Sequence, residues 1–506
     1  MNRTVSVGLL WDEPVITGEL ICDFRIECRT DCCRSMTLDT TAGHFEVRAQ
    51  KGKREQRYGV RLAESLSLHH AEQVLHAVRE SGKAFDLEIV EAGKQWPPYD
   101  NRVWWPVVKL GTPQDADEVL SALRCIEGLN PLGFAVVRLD TATAQEMFEV
   151  SIGDFSARVM EMRATPLNPE SVFWLYNVPI GRGFHWERKE QLEYRGELHL
   201  FHPGGLGLTA ANCLPLETYL ESAVGSEMRS DLPPAFSQAQ AICARSTVLA
   251  TANRHHHSDG FDVCNDDHCQ CYQGVKREAN AVIAPVRETA GQILISSFRV
   301  VDARYAKSCG GISERYEAAW GEEGPDYFAV RTCGDFDGDD LSNEILARNF
   351  LLNPPPAWCN GEVYPYPDPW DKDPLFRWEF SRTRAEWGEL LAEKTGRNLG
   401  AIKAFHVRQR GKSGRILILE IEGEAASSTI YGELNIRRAL SPSHLPSSYF
   451  VVDEHGDTLT LKGGGWGHGV GLCQLGAVAM AQNGWSVAQI LDYYYPGSEL
   501  KTGNEK

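Results

Sequence analysis

The sequence predicts an α+β protein, mostly β, with a small ferredoxin-like βαββαβ module set into its first third. Three observations predict it. Short apolar runs bounded by turn residues recur along most of the chain, as strands do. Helical periodicity is confined to a few segments, roughly 215–229, 233–252, 383–396 and 472–491. Between residues 56 and 140 the order strand, amphipathic helix, strand occurs twice in tandem, and two such halves build a split antiparallel sheet.

Taken in order, residues 1–55 carry the runs VSVGLL, ELICDFRIEC, SMTLDTT and FEVRA, which read as an N-terminal β segment. The opening MNRTVSVGLLWDEPVITGEL shows no signal peptide, because its apolar stretch from Val5 to Trp11 is short and Asp12 and Glu13 follow at once. In the 56–140 module, Ala71, Val74, Leu75 and Val78 share one helix face, and Val119, Leu120, Leu123 and Ile126 share the next. A larger domain is expected over 150–502, interrupted by the Pro- and aromatic-rich segment 352–376, which reads as a loop or extended connection.

Composition narrows the function. With 42% apolar and 24% charged residues the chain is an ordinary globular protein. Its net charge of −18 argues against nucleic acid as partner, since phosphate binding wants a basic field. No run approaches the roughly 18 apolar residues that a membrane span needs. Thirteen Trp and sixteen Tyr supply flat faces for sugar rings, although large aromatics dominate cores in any case. The fourteen cysteines lie in small groups (Cys22, Cys28, Cys32 and Cys33; Cys264, Cys269 and Cys271) and as singletons. Grouping favours metal or local redox chemistry over long-range staples; the N-terminal four receive no assignment.

The densest information lies in LPLETYLESAVGSEMRSDLPPAFSQAQAICARSTVLATANR, residues 214–254. Leu216, Tyr219, Leu220 and Val224 fall on one helix face, and Glu227 follows near the helix end, before the break at Pro233 and Pro234. A second helix carries Ala239, Ala241 and Ala244, small enough for close approach, with Gln238, Gln240 and Arg245 turned toward the junction. A carboxyl group enclosed by apolar neighbours has its ionised form desolvated and its pKa raised. That is the requirement on a general acid for glycosidic cleavage. A Glu at a helix end is otherwise a cap or a surface charge.

Two further clusters stand out. In HHHSDGFDVCNDDHCQCYQG, residues 255–274, Cys264, His268 and Cys269 with one upstream histidine, taken as His257, offer two thiolates and two imidazoles to a tetrahedral zinc. A local disulfide or plain thiols are the competing readings. The string Gly463–Gly471, with Trp466 and His468, lacks the Lys-Ser/Thr ending of a phosphate loop. Its glycines fit close approach of backbone to a sugar chain or to another strand. His468 and Gln474 either bond substrate or pack. DFDGDDLSNE (335–344) is no EF-hand, since Asp340 and Leu346 replace the required Gly and Glu.

LETYLESAVGSEMRSDLPPAFSQAQAICARSTV resembles the "lEdYL..Vv.sEMp….ealkAQAiaARty" pattern of the family of stage II sporulation protein D and the amidase enhancer. KGGGWGHGVGLCQLGAVAMAQNGWSVAQILDYYYPGSEL (462–500) is similar to that family's "GrGwGHGvGmsQ.GA.gmA..G.sy.eIL.hYYpGt.l". ARYAKSCGGISERYEAAWG (303–321) lies between them in the family order, so the resemblance spans about 160–500. It implies a peptidoglycan lytic transglycosylase. Glu227 matches the catalytic glutamate and Arg245 its nearby arginine, with Gln240, Tyr305, Lys307, Trp466, His468 and Gln474 on the substrate. Arg229 stands where the family usually has proline. The string "C….HCQ.Y.G" resembles a zinc-bearing loop of some members, which implies structural zinc on His257, Cys264, His268 and Cys269. The implied partners are glycan strands and a cell-wall amidase, and the implied location is extracytoplasmic, with VSVGLL as the family's opening strand and a leader upstream of it. The alternative within the family is a non-catalytic glycan binder that stimulates an amidase. The 56–140 module resembles a sporulation-related repeat, a glycan-associated unit.

Overall fold

The computed structural model describes residues 3–30, 34–49, 56–139, 146–183, 186–203, 207–227, 232–321, 324–338, 340–365 and 375–502. Cys32, Cys33, Arg229 and most of the aromatic segment near 370 lie outside them. The architecture is α+β, as expected.

One eleven-stranded sheet organises the N-terminal half. Its path runs 155–159, 148–152, 35–49, 15–29, 161–166, 197–201, 208–215, 4–13 and 263–264, with the hairpin 172–180/188–195 branching from strand 15–29. The described strands of this N-terminal stretch, 4–13, 15–29 and 35–49, therefore belong to the large sheet and not to a separate β segment. Thr4–Glu13 pairs with Leu208–Pro215, and Ser35–Ala49 pairs with Phe148–Ile152. Alternation drives this: Ile16, Leu20, Phe24, Ile26 and Cys28 turn inward along one long strand and are at most 1% exposed.

Because Ala49 pairs with Phe148, the chain between them leaves and re-enters at neighbouring strands. The module fills this gap. Its sheet runs 87–92, 103–110, 58–61, 135–138, all antiparallel, with helices α1 (Leu68–Glu80) and α2 (Ala116–Leu123). This is the ferredoxin-like order. Ala71, Leu75 and Val78 are buried as the periodicity requires. The opposite sheet face is also covered: Val103, Trp105 and Val107 form a second small core. Trp105 meets the His257 ring at 4.9 Å and donates its indole N–H to Glu64 at 3.1 Å. Glu64 in turn pairs with Arg254 of the large domain.

Helix α3 (Leu216–Glu227) packs Leu216, Tyr219, Leu220, Ala223 and Val224 onto the large sheet. Helix α4 (Pro234–Thr251) starts on a proline, which suits a first turn with unsatisfied N–H groups. Every α4 residue from Ala239 to Thr251 is buried. Ala, Cys and Ser dominate it, so neighbours close in from all sides. Ala241, Ala244 and Val248 face the first core, while Ala239, Ile242 and Cys243 face a second core built with the C-terminal helices. Helix α5 (Asn280–Glu288) lies across both α3 and α4.

The C-terminal part adds the sheets 377–383/458–464/450–455 and 402–410/416–423/427–431. The helix expected over 472–491 is two helices, Gln474–Gln482 and Val487–Tyr494. Gly484 takes φ 84° between them, and Ser486 with Gln489 caps the second. The glycine string serves packing against protein. A Cβ on Gly463 would lie 2.1 Å from the Trp378 ring, and one on Gly471 2.0 Å from the Arg304 carbonyl. No helix among the described residues is long and apolar enough to cross a membrane.

Candidate functional site

Glu227 ends α3 with its side chain half-buried. The loop after α4 folds back over that end. Gln270 accepts from the Tyr219 hydroxyl at 3.1 Å, Ser222 donates to the Gly274 carbonyl at 2.8 Å, and Ser226 accepts from the Gln273 N–H at 3.1 Å. Gly225 permits this closeness, since a Cβ there would sit 2.2 Å from the Arg277 carbonyl oxygen. The result presents the Cys271 N–H to Glu227 Oε1 at 2.9 Å.

Desolvation pushes the Glu227 pKa up, and the nearby Asp267 carboxylate adds to the rise. The Cys271 hydrogen bond and the Lys307 charge oppose it without reversing it. Tyr305, in the strand Tyr305–Ala306, and Lys307 just beyond it lie near enough to the same carboxyl to interact with it electrostatically. Burial, then the charge of Glu227, hold the Tyr305 hydroxyl protonated far beyond its usual range. An acid, a phenol and an ammonium thus act on one another electrostatically at this end of α3.

That strand is set by its neighbours. It pairs in parallel with Leu472–Cys473, and the Lys307 carbonyl accepts from Leu475 N–H at 3.1 Å. Ser308 and Trp466 exchange backbone hydrogen bonds at 3.1 and 2.8 Å, and Trp466 stays 39% exposed. His468 lies behind. Its Nδ1 accepts from Val470 N–H at 3.0 Å, and it keeps a backbone hydrogen bond to Tyr305. Burial, helped by Arg304 and Arg415, holds its pKa well below the usual value, so the ring is neutral and supports Tyr305. Gln474 and Gln240 are both buried and meet at 3.4 Å, linking α4 to the following helix.

Arg245 is not beside Glu227. Its Nε and Nη2 hold Glu217 at 2.9 and 2.7 Å, and its remaining donors reach the carbonyls of Gln292 and Val286 at 3.1 and 3.2 Å. Glu217 opens α3, about 15 Å from the other end at the usual helical rise. A side chain that finds four acceptors there has no reach left for the carboxyl, so Arg245 positions α3 against α4 and α5.

Of the metal residues, Cys264, His268 and Cys269 come together as expected, but the histidine joining them is His256. All four ligand atoms lie within 4.8 Å of one another. His257 instead packs against Trp105. His255 sets its ring 5.1 Å from that of His268, but of the three consecutive histidines it is His256 that joins the ligand group. His256 Nδ1 bonds Asp259 at 2.7 Å, which leaves Nε2 for a metal, the usual carboxylate–histidine arrangement. Two thiols and two imidazoles at this spacing fit zinc. Asp267 and Cys271, which adjoin Glu227, gave no signal of their own beyond lying in the same cysteine-rich run.

Comparison with known proteins finds similarity over the segment that carries this site. Residues 205–295, which hold α3, α4, the cysteine loop and α5, match the family model described as "Stage II sporulation protein". Residues 367–471 match one described as "Domain of unknown function (DUF8618)". Over residues 205–295 the chain is thus similar to the family of stage II sporulation protein D, and its curated relatives include that protein and the amidase enhancer. It is 25% identical over 302 residues to stage II sporulation protein D of Bacillus subtilis, covering 57% of this chain and 74% of that one. It is 25% identical over 309 residues to an uncharacterized protein of Brachyspira hyodysenteriae, covering 61% and 72%. Against the amidase enhancer of Bacillus subtilis it is 24% identical over 305 residues, covering 56% and 40%.

Proposed function

We propose that this chain is a peptidoglycan lytic transglycosylase that acts outside the cytoplasm, with Glu227 as its general acid and base. The observation that carries the reading is the half-buried Glu227 carboxyl, raised in pKa and within electrostatic reach of Tyr305 and Lys307. Its proton passes to the glycosidic oxygen between N-acetylmuramic acid and N-acetylglucosamine as the C1–O bond breaks. The resulting carboxylate then takes the proton of the muramic 6-hydroxyl while O6 bonds to C1, closing a 1,6-anhydro ring. Attack from within the substrate needs no second carboxylate, unlike ordinary glycosidases. Tyr305 and Lys307 supply hydrogen-bond donors to sugar oxygens, and the exposed Trp466 ring offers a stacking face. Gln240 and Gln474, being buried, support the wall of the site. Zinc on His256, Cys264, His268 and Cys269 would be structural, fixing the loop that presents the Cys271 N–H to Glu227. Peptide-stripped strands are the proposed substrate.

The likeness to the amidase enhancer favours a second reading, a glycan-binding partner that stimulates an amidase without cleaving. Glu227→Gln separates them. On the first reading this variant still co-sediments with glycan strands but loses turnover by at least about a hundredfold, as expected for a missing general acid. Full function in the variant would leave only the second.

A further inference from the structure

Four cysteines that stand alone in the sequence meet in the second core. Cys473 ends the strand Leu472–Cys473, whose register sets it opposite Ala306, and Cys309 lies three residues beyond Ala306. Cys333 and Cys359 come from the irregular stretch that follows, and the bridge between Ile312 and Thr332 delivers the first of them. The four sulfurs lie within 4.8 Å of one another, and all four residues are at most 2% exposed. We propose that Cys309, Cys333, Cys359 and Cys473 form a tetrathiolate zinc site, separate from the cluster at His256.

Geometry supports one ion shared by four sulfurs. Zinc–thiolate bonds of about 2.3 Å in a tetrahedron place sulfurs roughly 3.8 Å apart. Cys309 Sγ and Cys359 Sγ are 3.7 Å apart. An iron–sulfur cluster would insert several irons and sulfides between the thiolates and needs a wider cage. Two disulfides would each join one pair and require no meeting of all four.

The surroundings suit thiolates. The Cys309 N–H points at Cys473 Sγ at 3.3 Å, and the Tyr494 hydroxyl lies 3.7 Å from Cys333 Sγ. Such bonds stabilise negative sulfur and orient it. The fully buried guanidinium of Arg415 donates to the Cys309 carbonyl at 3.3 Å, placing a cation beside a site whose ligands outweigh the ion's charge. Room is made by Gly476, where a Cβ would lie 2.6 Å from Cys333 Sγ. The ion's task follows from the chain path. Cys309 is two residues beyond Lys307, and Cys473 immediately precedes Gln474. One ion therefore ties the long stretch holding Cys333 and Cys359 to the strand of Tyr305 and to Lys307 just after it.

The test is X-ray absorption at the zinc edge with metal analysis on the full chain, purified under reducing conditions. The proposal expects a first shell with at least three sulfurs for each nitrogen, because four sulfurs at this site are averaged with two sulfurs and two nitrogens at the other. The double variant Cys264→Ser, Cys269→Ser should keep zinc with an all-sulfur shell. Cobalt put in its place there should give the intense thiolate charge-transfer bands of a four-sulfur site. A shell of equal sulfur and nitrogen, iron with acid-labile sulfide, or two disulfides mapped by mass spectrometry would each overturn the proposal. The wild-type spectrum decides even if Cys333→Ser or Cys359→Ser does not fold.

Discussion

Glu227 sits at a point where folding and function pull against each other. Its folded pKa lies above the unfolded value, because burial disfavours the carboxylate. The stability it contributes is therefore complete below the unfolded pKa of about 4.3 and is lost as pH rises. Glu227→Gln removes that loss. Its advantage over wild type in urea unfolding should be near zero at about pH 4 and grow toward neutrality, by about 1.4 kcal/mol for each unit of pKa elevation. Lys307 tests the same electrostatics from the other side. Its ammonium lowers the Glu227 pKa, so Lys307→Met should raise it further and keep the acid protonated to higher pH. The alkaline limb of the kcat/KM profile should move upward even if KM worsens. An unmoved limb would disconnect Lys307 from the acid. At this scale motif order in the sequence pointed to Glu227, Tyr305 and Lys307 as candidates. Asp267 was invisible because its influence comes through space, across a loop that only the fold closes.

At the level of elements, the junction of α3, α4 and α5 holds the site in place, and Arg245 is its fastener. Replacing it with Met leaves Glu217 and the carbonyls of Val286 in α5 and Gln292 in the following strand without their donor. Loss of a buried, multiply bonded cation should cost on the order of 2–4 kcal/mol. The folded fraction should keep the wild-type pH profile, since Arg245 does not touch Glu227. A changed profile at unchanged stability would restore Arg245 to the chemistry. Helix existence was readable here from periodicity, as the buried Leu216, Tyr219 and Leu220 show. Side-chain direction was not. Arg245 lies in a motif with Glu227, yet α4 turns it toward the opposite end of α3. The three consecutive histidines fail in the same way, because a pattern cannot say which one a turn will aim at Cys264. The break after Gln482 was written in Asn483, Gly484 and Ser486, a stop and a cap overlooked within an apolar run.

The whole molecule is one large α+β body with a module inserted at an edge where two strands already pair. Both faces of the module sheet are covered, one by α1 and α2 and one by the seam at Trp105, Glu64 and His257. A sheet face closed in this way cannot also lie along a glycan. The module keeps the ferredoxin-like strand order, and binding through that face is not available in this arrangement. The module's order was legible because each half is local in sequence. The pairing of residue 4 with residue 215 was not, because nothing in a strand names its distant partner. The central claim is the reaction at Glu227, and product chemistry tests it most directly. Purified wild-type protein and Glu227→Gln are incubated with amidase-stripped peptidoglycan, and the muropeptides are weighed by mass spectrometry. Products ending in 1,6-anhydro-muramic acid, lighter by one water than hydrolysed ends, are expected from wild type alone; hydrated ends, or intact strands from both proteins, would contradict it.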